Sequence, residues 1–158
     1  MAQAKEIVFG TGNKAKIQQV QGALGDAIQV RGINEFGIDL SLEEDGKTAQ
    51  ENARKKAIAY TDALGRAVFA MDNALYLDDL PDNEQSGLYV RRIGGIECLT
   101  DEEMIESYTA LVKKLGEKTK GYWEFGASIA QPDGTSIEDS IISPRLFVAK
   151  PSDKALQG

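Results

Sequence analysis

The residues best suited to chemistry in this sequence form one short turn near the N-terminus. Six consecutive or nearly consecutive positions carry groups that suit a phosphate: Gly10, Thr11, Gly12, Asn13, Lys14 and Lys16. The glycines permit close approach of a ligand, the threonine and asparagine offer short hydrogen-bonding groups, and the lysines add positive charge. The start of a helix also favours negative charge. The turn therefore predicts a phosphate site, and the alternative is an ordinary strand-to-helix connection.

The elements around this turn follow from hydrophobic spacing. Ile7–Phe9 is a short apolar run, which predicts a first strand. From Asn13 to Leu24 the apolar residues recur at helical spacing, and Gly25 is a suitable helix end. A second strand is predicted over residues 28–33.

The sequence of this turn matches one of two familiar phosphate-binding motifs and lacks the other. The P-loop pattern is absent, because the glycine spacing and the Gly-Lys-Ser/Thr end are missing. Gly10–Ala15 fits the Gly-x-Gly-x-x-Ala form of the dinucleotide fingerprint, and Glu35 follows the second strand as its acidic partner. Dinucleotide binding therefore remains an alternative.

Composition narrows the class of protein. A chain of 158 residues suits one domain over 1–158. A net charge of −7, from 25 acidic and 18 basic residues, argues against a nucleic-acid-binding surface. One cysteine excludes an intramolecular disulfide, and no apolar run reaches membrane-spanning length, so we expect a cytoplasmic protein without membrane contact. With no histidine, acid–base and metal chemistry must rest on carboxylates and lysines.

The second helix carries a lysine whose role is open. Thr48–Glu51 has the form of a capping box and starts a helix that Gly65 ends. Its apolar stripe is Ala49, Ala53, Ala57, Tyr60 and Leu64. Lys56 lies off that stripe, so the pattern favours a solvated surface lysine over a functional one.

Residues 68–71 form a second apolar run that stops at Asp72 and Asn73. This predicts a buried parallel strand with an aspartate at its carboxyl end, where ligands of open α/β sheets bind. A turn-forming aspartate is the alternative. The later segment Gly87–Gly95 contains two arginines that face either solvent or an anion.

The remaining sequence predicts a helix and a hairpin. Thr100–Glu103 is another capping box, followed by an apolar stripe to Gly116. Alternation around residues 122–129, a turn at 132–134 and a strand over 137–142 predict a hairpin. Residues 143–158 carry no periodic pattern and are predicted to lack regular structure. The fold class is α/β, with a mixed central sheet flanked by helices.

Three motifs in this order resemble those of the inosine triphosphate pyrophosphatase family. Thr11–Lys16 matches Thr-x-Asn-x-x-Lys, and Glu44–Ala57 matches Glu-Thr-Gly-x-Thr-x-x-Glu-Asn-Ala-x-x-Lys-Ala with one change at Asp45. Ser86–Arg92 is similar to the Pro-Gly-x-Tyr-Ser-Ala-Arg segment. The resemblance covers residues 7–95 and extends more loosely to about residue 142. It implies a Mg²⁺-dependent enzyme that converts non-standard purine nucleoside triphosphates to monophosphate and pyrophosphate.

The resemblance also implies roles and an assembly. Glu44 and Asp72 would hold Mg²⁺, and Asp72 would activate the attacking water. The nucleoside triphosphate would be bound by Thr11, Gly12, Asn13, Lys14, Lys16, Lys56, Asn73 and Arg92. A homodimer is implied as well.

Departures from the family pattern keep a second function open. Met71 stands where the family has its first aspartate, and the Phe-Gly-Tyr-Asp-Pro and Ser-His-Arg motifs that hold the base are missing. A relative that binds nucleotides without hydrolysing them is therefore the alternative. The missing base-holding motifs predict weak discrimination among bases, within about tenfold.

Overall fold

The computed structural model describes residues 5–95 and 98–153. Within them the strands are β1 (Lys5–Phe9), β2 (Ile28–Gly32), β3 (Val68–Leu77), β4 (Lys118–Ala130) and β5 (Ser136–Val148). The α-helices are α1 (Lys14–Leu24), α2 (Ala49–Leu64) and α3 (Asp101–Lys114), and short 3₁₀ turns occupy Gly25–Ala27, Ile33–Phe36, Asp82–Glu84 and Val90–Gly95. None of the helices in these residues combines the length and apolarity needed to cross a membrane.

The five strands form one sheet in the order β2-β1-β3-β4-β5. Strand β1 runs parallel to β2 on one side and to β3 on the other. Strand β2, the next strand in the chain, therefore lies on one side of β1, and β3 lies on the opposite side. In open α/β sheets, such a reversal of strand order marks the place where ligands bind, beyond the carboxyl end of the strand. For β1 that place is the glycine turn at Gly10–Asn13.

The chain divides into two compact units. In its described residues the first unit comprises 5–72 and 126–140, and the second comprises 73–95, 98–125 and 141–153. The single domain over 1–158 stays a prediction. Every residue of the glycine turn, α1 and α2 belongs to the first unit, and so do Glu44 and Asp72.

The first unit is held together by two small apolar clusters. Val8, Ile33 and Val68 form one, with Tyr60 and Leu64 of α2 among the side chains packed against it. Ala57 of α2, Ala70 of β3 and Ala130 of β4 form the other, and each is at most 2% exposed. Alanines at this contact let the helix backbone approach the sheet closely. Consequently, the face of α2 next to the alanines lies near β3.

The second unit has its own core of larger side chains. Leu75 and Leu77 of β3 pack with Leu80, and side chains of α3 and β5 cover this cluster. Helix α3 starts with the predicted capping box, in which Thr100 and Glu103 exchange hydrogen bonds.

The predicted mixed α/β sheet flanked by helices is confirmed, with three local corrections. Strand β3 does not stop at Asp72 but continues to Leu77, so Asp72 lies inside the strand. Strand β5 extends to Val148, although residues 143–158 were expected to lack regular structure, and residues 154–158 lie outside the described part. Pro144 is compatible with this extension because β5 is an edge strand, where a missing N–H is tolerated.

The third correction concerns the start of α2. Thr48 caps the helix by accepting from the Glu51 N–H, as predicted. The Glu51 carboxylate, however, accepts from the Lys47 N–H at 2.8 Å and does not return to Thr48.

Candidate functional site

The central feature of the site is a lysine between two carboxylates. Lys56 of α2 forms an ion pair with Glu44, and its Nζ lies 3.4 Å from Oδ1 of Asp72. The side chains of Lys56 and Asp72 are only 15% and 10% exposed, whereas Glu44 is 40% exposed. One basic and two acidic groups are thus held together, and of the three charged side chains Lys56 and Asp72 are the ones largely shielded from water.

The protonation of Lys56 follows from its neighbours. Burial by itself lowers the pKa of Lys56, but the charge of Asp72 and the hydrogen bond to Glu44 outweigh burial and raise that pKa above its usual value. Lys56 is therefore a fixed positive charge at neutral pH and is unsuited to act as a general base.

The expectation of a solvated surface lysine is wrong for Lys56. The residue lies off the apolar stripe of α2, as the sequence indicates, but that side of the helix faces Asp72 and the Glu44 segment instead of solvent. Its neighbour Lys55 does face solvent, with an exposed ion pair to Asp45. The structure also buries Asp72, which disfavours the turn-forming alternative.

Asp72 keeps one carboxylate oxygen without a partner. Its Oδ2 is buried and forms no hydrogen bond among the described residues. A buried, unpaired carboxylate oxygen is costly, and such atoms occur where a ligand or ion completes the site. The orphaned oxygen makes Asp72 available to a cation or to water.

These residues fit a magnesium ion of the kind that binds nucleotides. Mg²⁺ requires hard oxygen ligands and commonly uses one or two carboxylates, with phosphates and waters completing its shell. Asp72 and Glu44 supply such oxygens on either side of Lys56. No group of three or more metal-binding side chains occurs within residues 5–95 and 98–153.

The glycine turn adopts the strand-to-helix conformation predicted from sequence. Asn13 caps α1, and its Oδ1 accepts from the N–H groups of Ala15 and Lys16. Thr11 Oγ1 accepts from the Asn13 N–H at 3.1 Å. The cap leaves the Asn13 amide NH₂ and the Thr11 hydroxyl hydrogen as the side-chain donors for a ligand.

The charge of this turn is unusual for a helix start. The first turn of α1 carries Lys14 and Lys16 and no acidic residue, although helix N-termini normally favour acidic side chains. Lys14 is exposed and Lys16 is half-buried. Positive side chains in the first turn oppose the helix dipole, so this charge pattern does not stabilise the helix.

Gly10 connects the turn to the helix that carries Lys56. Its N–H donates to Phe69 O at 2.7 Å, and an added Cβ would lie 2.9 Å from the Tyr60 ring. Tyr60 is four residues after Lys56 and thus on the same face of α2. Burial raises the pKa of Tyr60, and the charge of Lys56 opposes that increase.

Sequence reasoning assigned Tyr60 only to the apolar stripe. The spacing of four residues between Lys56 and Tyr60 is the feature of the sequence that could have indicated a position of Tyr60 beside the site. The contacts of Gly10 with Tyr60 and Phe69 show that the glycine turn, α2 and β3 meet.

Two predicted ligand-binding residues lie in the second unit. Asn73 follows Asp72 in β3, and because successive strand residues point to opposite faces, it does not share the face of Asp72. Its Oδ1 is also buried without a hydrogen bond among the described residues. Arg92 is exposed, with its guanidinium 5.8 Å from the Tyr89 ring. The substrate contacts of both residues stay predictions.

Glu35, the acidic residue that the dinucleotide alternative requires, is engaged in local contacts. Glu35 forms an ion pair with Arg31 at 2.9 Å and accepts from the Gly32 N–H at 3.2 Å. Its carboxylate thus closes the turn after β2. This occupied carboxylate disfavours a role for Glu35 in binding a ribose.

Comparisons with known proteins give consistent matches. The profile of the Ham1 family matches residues 7–141. The dITP/XTP pyrophosphatase of Staphylococcus aureus strain MRSA252 is 37% identical over 137 residues, which cover 87% of this chain and 66% of the relative. The dITP/XTP pyrophosphatase of Desulfotalea psychrophila is 36% identical over 134 residues, covering 83% of this chain and 57% of the relative. The chain thus spans less than two thirds of the length of these curated relatives.

Solved structures agree on the fold. The Ham1 protein of Staphylococcus aureus superposes with a TM-score of 0.69 at 32% identity, over 89% of this chain and 70% of that one. A HAM1 protein from Coxiella burnetii gives a TM-score of 0.72 at 22% identity, over 96% and 77% of the two chains. At that identity the second likeness concerns the fold alone.

Proposed function

This chain belongs to the Ham1 family, as its three motifs indicated, and we propose that it hydrolyses nucleoside triphosphates to a monophosphate and pyrophosphate. The substrates proposed first are non-standard purine nucleotides, since the relatives are named dITP/XTP pyrophosphatases. One observation carries the proposal. A buried lysine lies between two carboxylates, one of which keeps a free buried oxygen, in the same unit as a phosphate-type turn.

The glycine turn is proposed to bind the triphosphate. Gly12 permits close approach of the phosphate chain, and Thr11 and Asn13 donate to its oxygens. Lys14 and Lys16 add charge beside the positive end of the α1 dipole. Charge-assisted hydrogen bonds of this kind are stronger than neutral ones, so the phosphates supply most of the binding free energy.

Glu44 and Asp72 are proposed to hold Mg²⁺ together with the phosphates. When bound, the ion lowers the pKa of a coordinated water and screens the negative charge of the phosphates. Glu44 is half-exposed and so can bind an ion that arrives with the nucleotide, whereas the buried Asp72 offers its orphaned Oδ2.

Asp72 and Lys56 are proposed to act on the reacting atoms. Asp72 accepts a hydrogen bond from the attacking water and takes its proton as the new phosphorus–oxygen bond forms. The bond between the α- and β-phosphates breaks, and its electron pair leaves with pyrophosphate. The Lys56 ammonium is a fixed positive charge that stabilises the negative charge developing in the transition state.

Other features of the proposal rest on the family resemblance. Asn73 and Arg92 would contact the nucleotide, and the protein would act as a homodimer in the cytoplasm. No nucleic-acid partner is proposed, because a net charge of −7 disfavours a surface that binds nucleic acid.

The test is a product assay with purified protein. dITP, XTP, ITP and the standard triphosphates are each incubated with and without Mg²⁺, and the products are separated by ion-exchange chromatography. Monophosphate and pyrophosphate in equal amounts, formed only with the metal, are the expected result. Release of inorganic phosphate and a diphosphate, or no turnover of any triphosphate, would overturn the proposal.

A second candidate is a nucleotide-binding protein without catalysis. Met71 favours it, because a thioether stands where the family resemblance expects a carboxylate. In this case triphosphates would raise the unfolding temperature of the protein in the presence of Mg²⁺, and the product assay would detect neither monophosphate nor pyrophosphate.

A further inference from the structure

The loop that carries Glu44 is attached to α2 residue by residue. Five successive positions each contact a side chain or N–H of that helix: Glu44 with Lys56, Asp45 with Lys55, Gly46 with Asn52, Lys47 with Glu51, and Thr48 with Glu51. The loop is therefore held by the same helix that presents Lys56. The position of Glu44 depends on these contacts.

Among these contacts, the one made by Asn52 is distinguished by its burial. Asn52 is 1% exposed, and its Oδ1 accepts from the Gly46 N–H at 2.7 Å. The Asp45–Lys55 pair, by contrast, is 66% and 49% exposed, and exposed pairs contribute little. The buried hydrogen bond is thus the contact that water competes with least.

Gly46 is adapted to this hydrogen bond. A Cβ added there would meet Asn52 Oδ1, and it would lie 3.1 Å from Asn52 Cγ and 3.0 Å from Glu51 Cβ. Any side chain at this position would separate the loop from the helix. The loop and Asn52 therefore fit each other only when residue 46 is glycine.

An asparagine at this buried helical position is not what stability alone would favour. Asparagine is a weak helix former, and the Nδ2 of Asn52 is buried without a hydrogen-bond partner in the part of the chain that the structure describes. A residue that departs from local rules in this way is expected near a functional site. Of its amide, only the oxygen has a visible use, at Gly46.

We propose that Asn52 is a positioning residue, which fixes the Gly46 N–H and thereby places the Glu44 carboxylate beside Lys56 and Asp72. This inference rests on the proposed function in that Glu44 is taken as a ligand of Mg²⁺. The proposed effect of Asn52 passes through the loop, because the side-chain oxygen of Asn52 is the acceptor of the Gly46 N–H.

The test compares Asn52→Leu with Thr61→Val. Leucine has a similar volume and removes the acceptor. Thr61 is a matched control, because it lies on the same helix, is 2% exposed and makes one hydrogen bond from its side chain to a backbone carbonyl, that of Ala130. Amide hydrogen exchange over residues 42–50 reports the loop without any need for activity. A titration of pyrophosphatase activity against Mg²⁺ reports the placement of Glu44.

For Asn52→Leu we expect exchange of the Gly46 amide to rise by about tenfold or more. The Mg²⁺ concentration for half-maximal activity should also rise about tenfold, equivalent to about 1.4 kcal/mol, while KM for the nucleotide at saturating Mg²⁺ changes by less than about threefold. Thr61→Val should leave the exchange and the Mg²⁺ requirement within about twofold of wild type. Asn52→Asp keeps the acceptor and is expected to retain slow exchange.

A second variant keeps the inference testable if Asn52→Leu does not fold. Gly46→Ala disrupts the same hydrogen bond from the loop side, so it should give the same increases in exchange and in Mg²⁺ requirement. The double variant should be no worse than the stronger single one, since both remove one contact.

Two results would overturn the role of Asn52. The first is amide hydrogen exchange over residues 42–50 at the wild-type rate in both Asn52→Leu and Gly46→Ala. The second is increased exchange in these variants with an unchanged Mg²⁺ requirement. If wild type does not hydrolyse triphosphates, the proposed function fails, and the exchange data together with calorimetric Mg²⁺ binding decide the positioning role separately.

Discussion

Replacing Lys56 with methionine should reveal how strongly the site depends on its buried positive charge. Methionine preserves most of the side-chain length and removes the ammonium group. Asp72, with a side chain 10% exposed, then keeps neither an ionic partner nor a hydrogen bond from Lys56. The change creates an unpaired carboxylate in a largely buried place, which is among the few mechanisms that cause large losses of stability.

The magnitude follows from the 3.4 Å separation of Lys56 Nζ and Asp72 Oδ1. At an effective dielectric constant of about 20, two unit charges at that distance attract by about 5 kcal/mol. The variant recovers part of this loss, because the lysine no longer has to be buried as an ion. We therefore expect the free energy of unfolding to fall by about 2 to 4 kcal/mol, with a decrease in Tm of about 6–12 °C.

The measurement is urea and thermal unfolding at pH 7 without metal, followed by circular dichroism. Lys55→Met is the matched control, since that lysine is adjacent in sequence but its pair with Asp45 is exposed, and it should change stability by less than about 0.5 kcal/mol. The double variant Lys56→Met with Asp72→Asn removes both charges. It should recover to within about 1 kcal/mol of wild type, because no buried charge is left unpaired.

Equal stability of the Lys56 and Lys55 variants would refute this reasoning. It would mean that Asp72 is well solvated and that Lys56 does not neutralise it. Failure of the double variant to recover would instead indicate that the lysine stem contributes by packing, which the charge argument does not include.

Four further substitutions or comparisons test the remaining roles. Asp72→Asn should lower kcat on the order of 10² or more with the fold intact, measured by pyrophosphate release and circular dichroism, and unchanged activity would remove Asp72 from the mechanism. Glu44→Gln should raise the Mg²⁺ concentration for half-maximal activity by about tenfold, and an unaltered Mg²⁺ titration would remove Glu44 as a ligand. Asn13→Ala should cost about 1 kcal/mol in urea unfolding through loss of the α1 cap and raise KM for the triphosphate; a variant as stable as wild type would contradict the cap. For a protein of these 158 residues, kcat/KM should vary by less than about tenfold among bases, whereas a preference of several hundredfold would reveal a base pocket.

Local sequence determined the elements that depend on neighbouring residues. Asn13 and Gly25 bracket α1 as predicted, and Thr100 with Glu103 starts α3. Caps and turns of this kind are set by hydrogen bonds between residues close in the chain, so their spacing is visible in the sequence. The conformation of the glycine turn and the family both followed from such contiguous motifs.

Tertiary structure decided which faces and strand edges are covered. Strand β3 was expected to stop at Asp72, yet it continues to Leu77, past the residues Val68 and Phe69 that pair with β1, and its other neighbour in the sheet is β4. Residues 143–148 were expected to belong to a tail without regular structure, but they extend β5 at the sheet edge. Strand length depends on a pairing partner distant in sequence, which no local pattern specifies.

At the site itself, the sequence determines the position of Lys56 and Asn52 on their helix, and the tertiary structure determines their burial. Periodicity correctly placed both residues on α2, but it could not show that Asp72 and the Glu44–Thr48 loop cover that side of the helix. A lysine off the apolar stripe is usually solvated, and only partners brought from elsewhere in the chain change that outcome. The sequence by itself therefore determined the chemistry available to this protein. Only the tertiary structure decided which of those groups meet, because charge pairing and burial depend on contacts between distant segments.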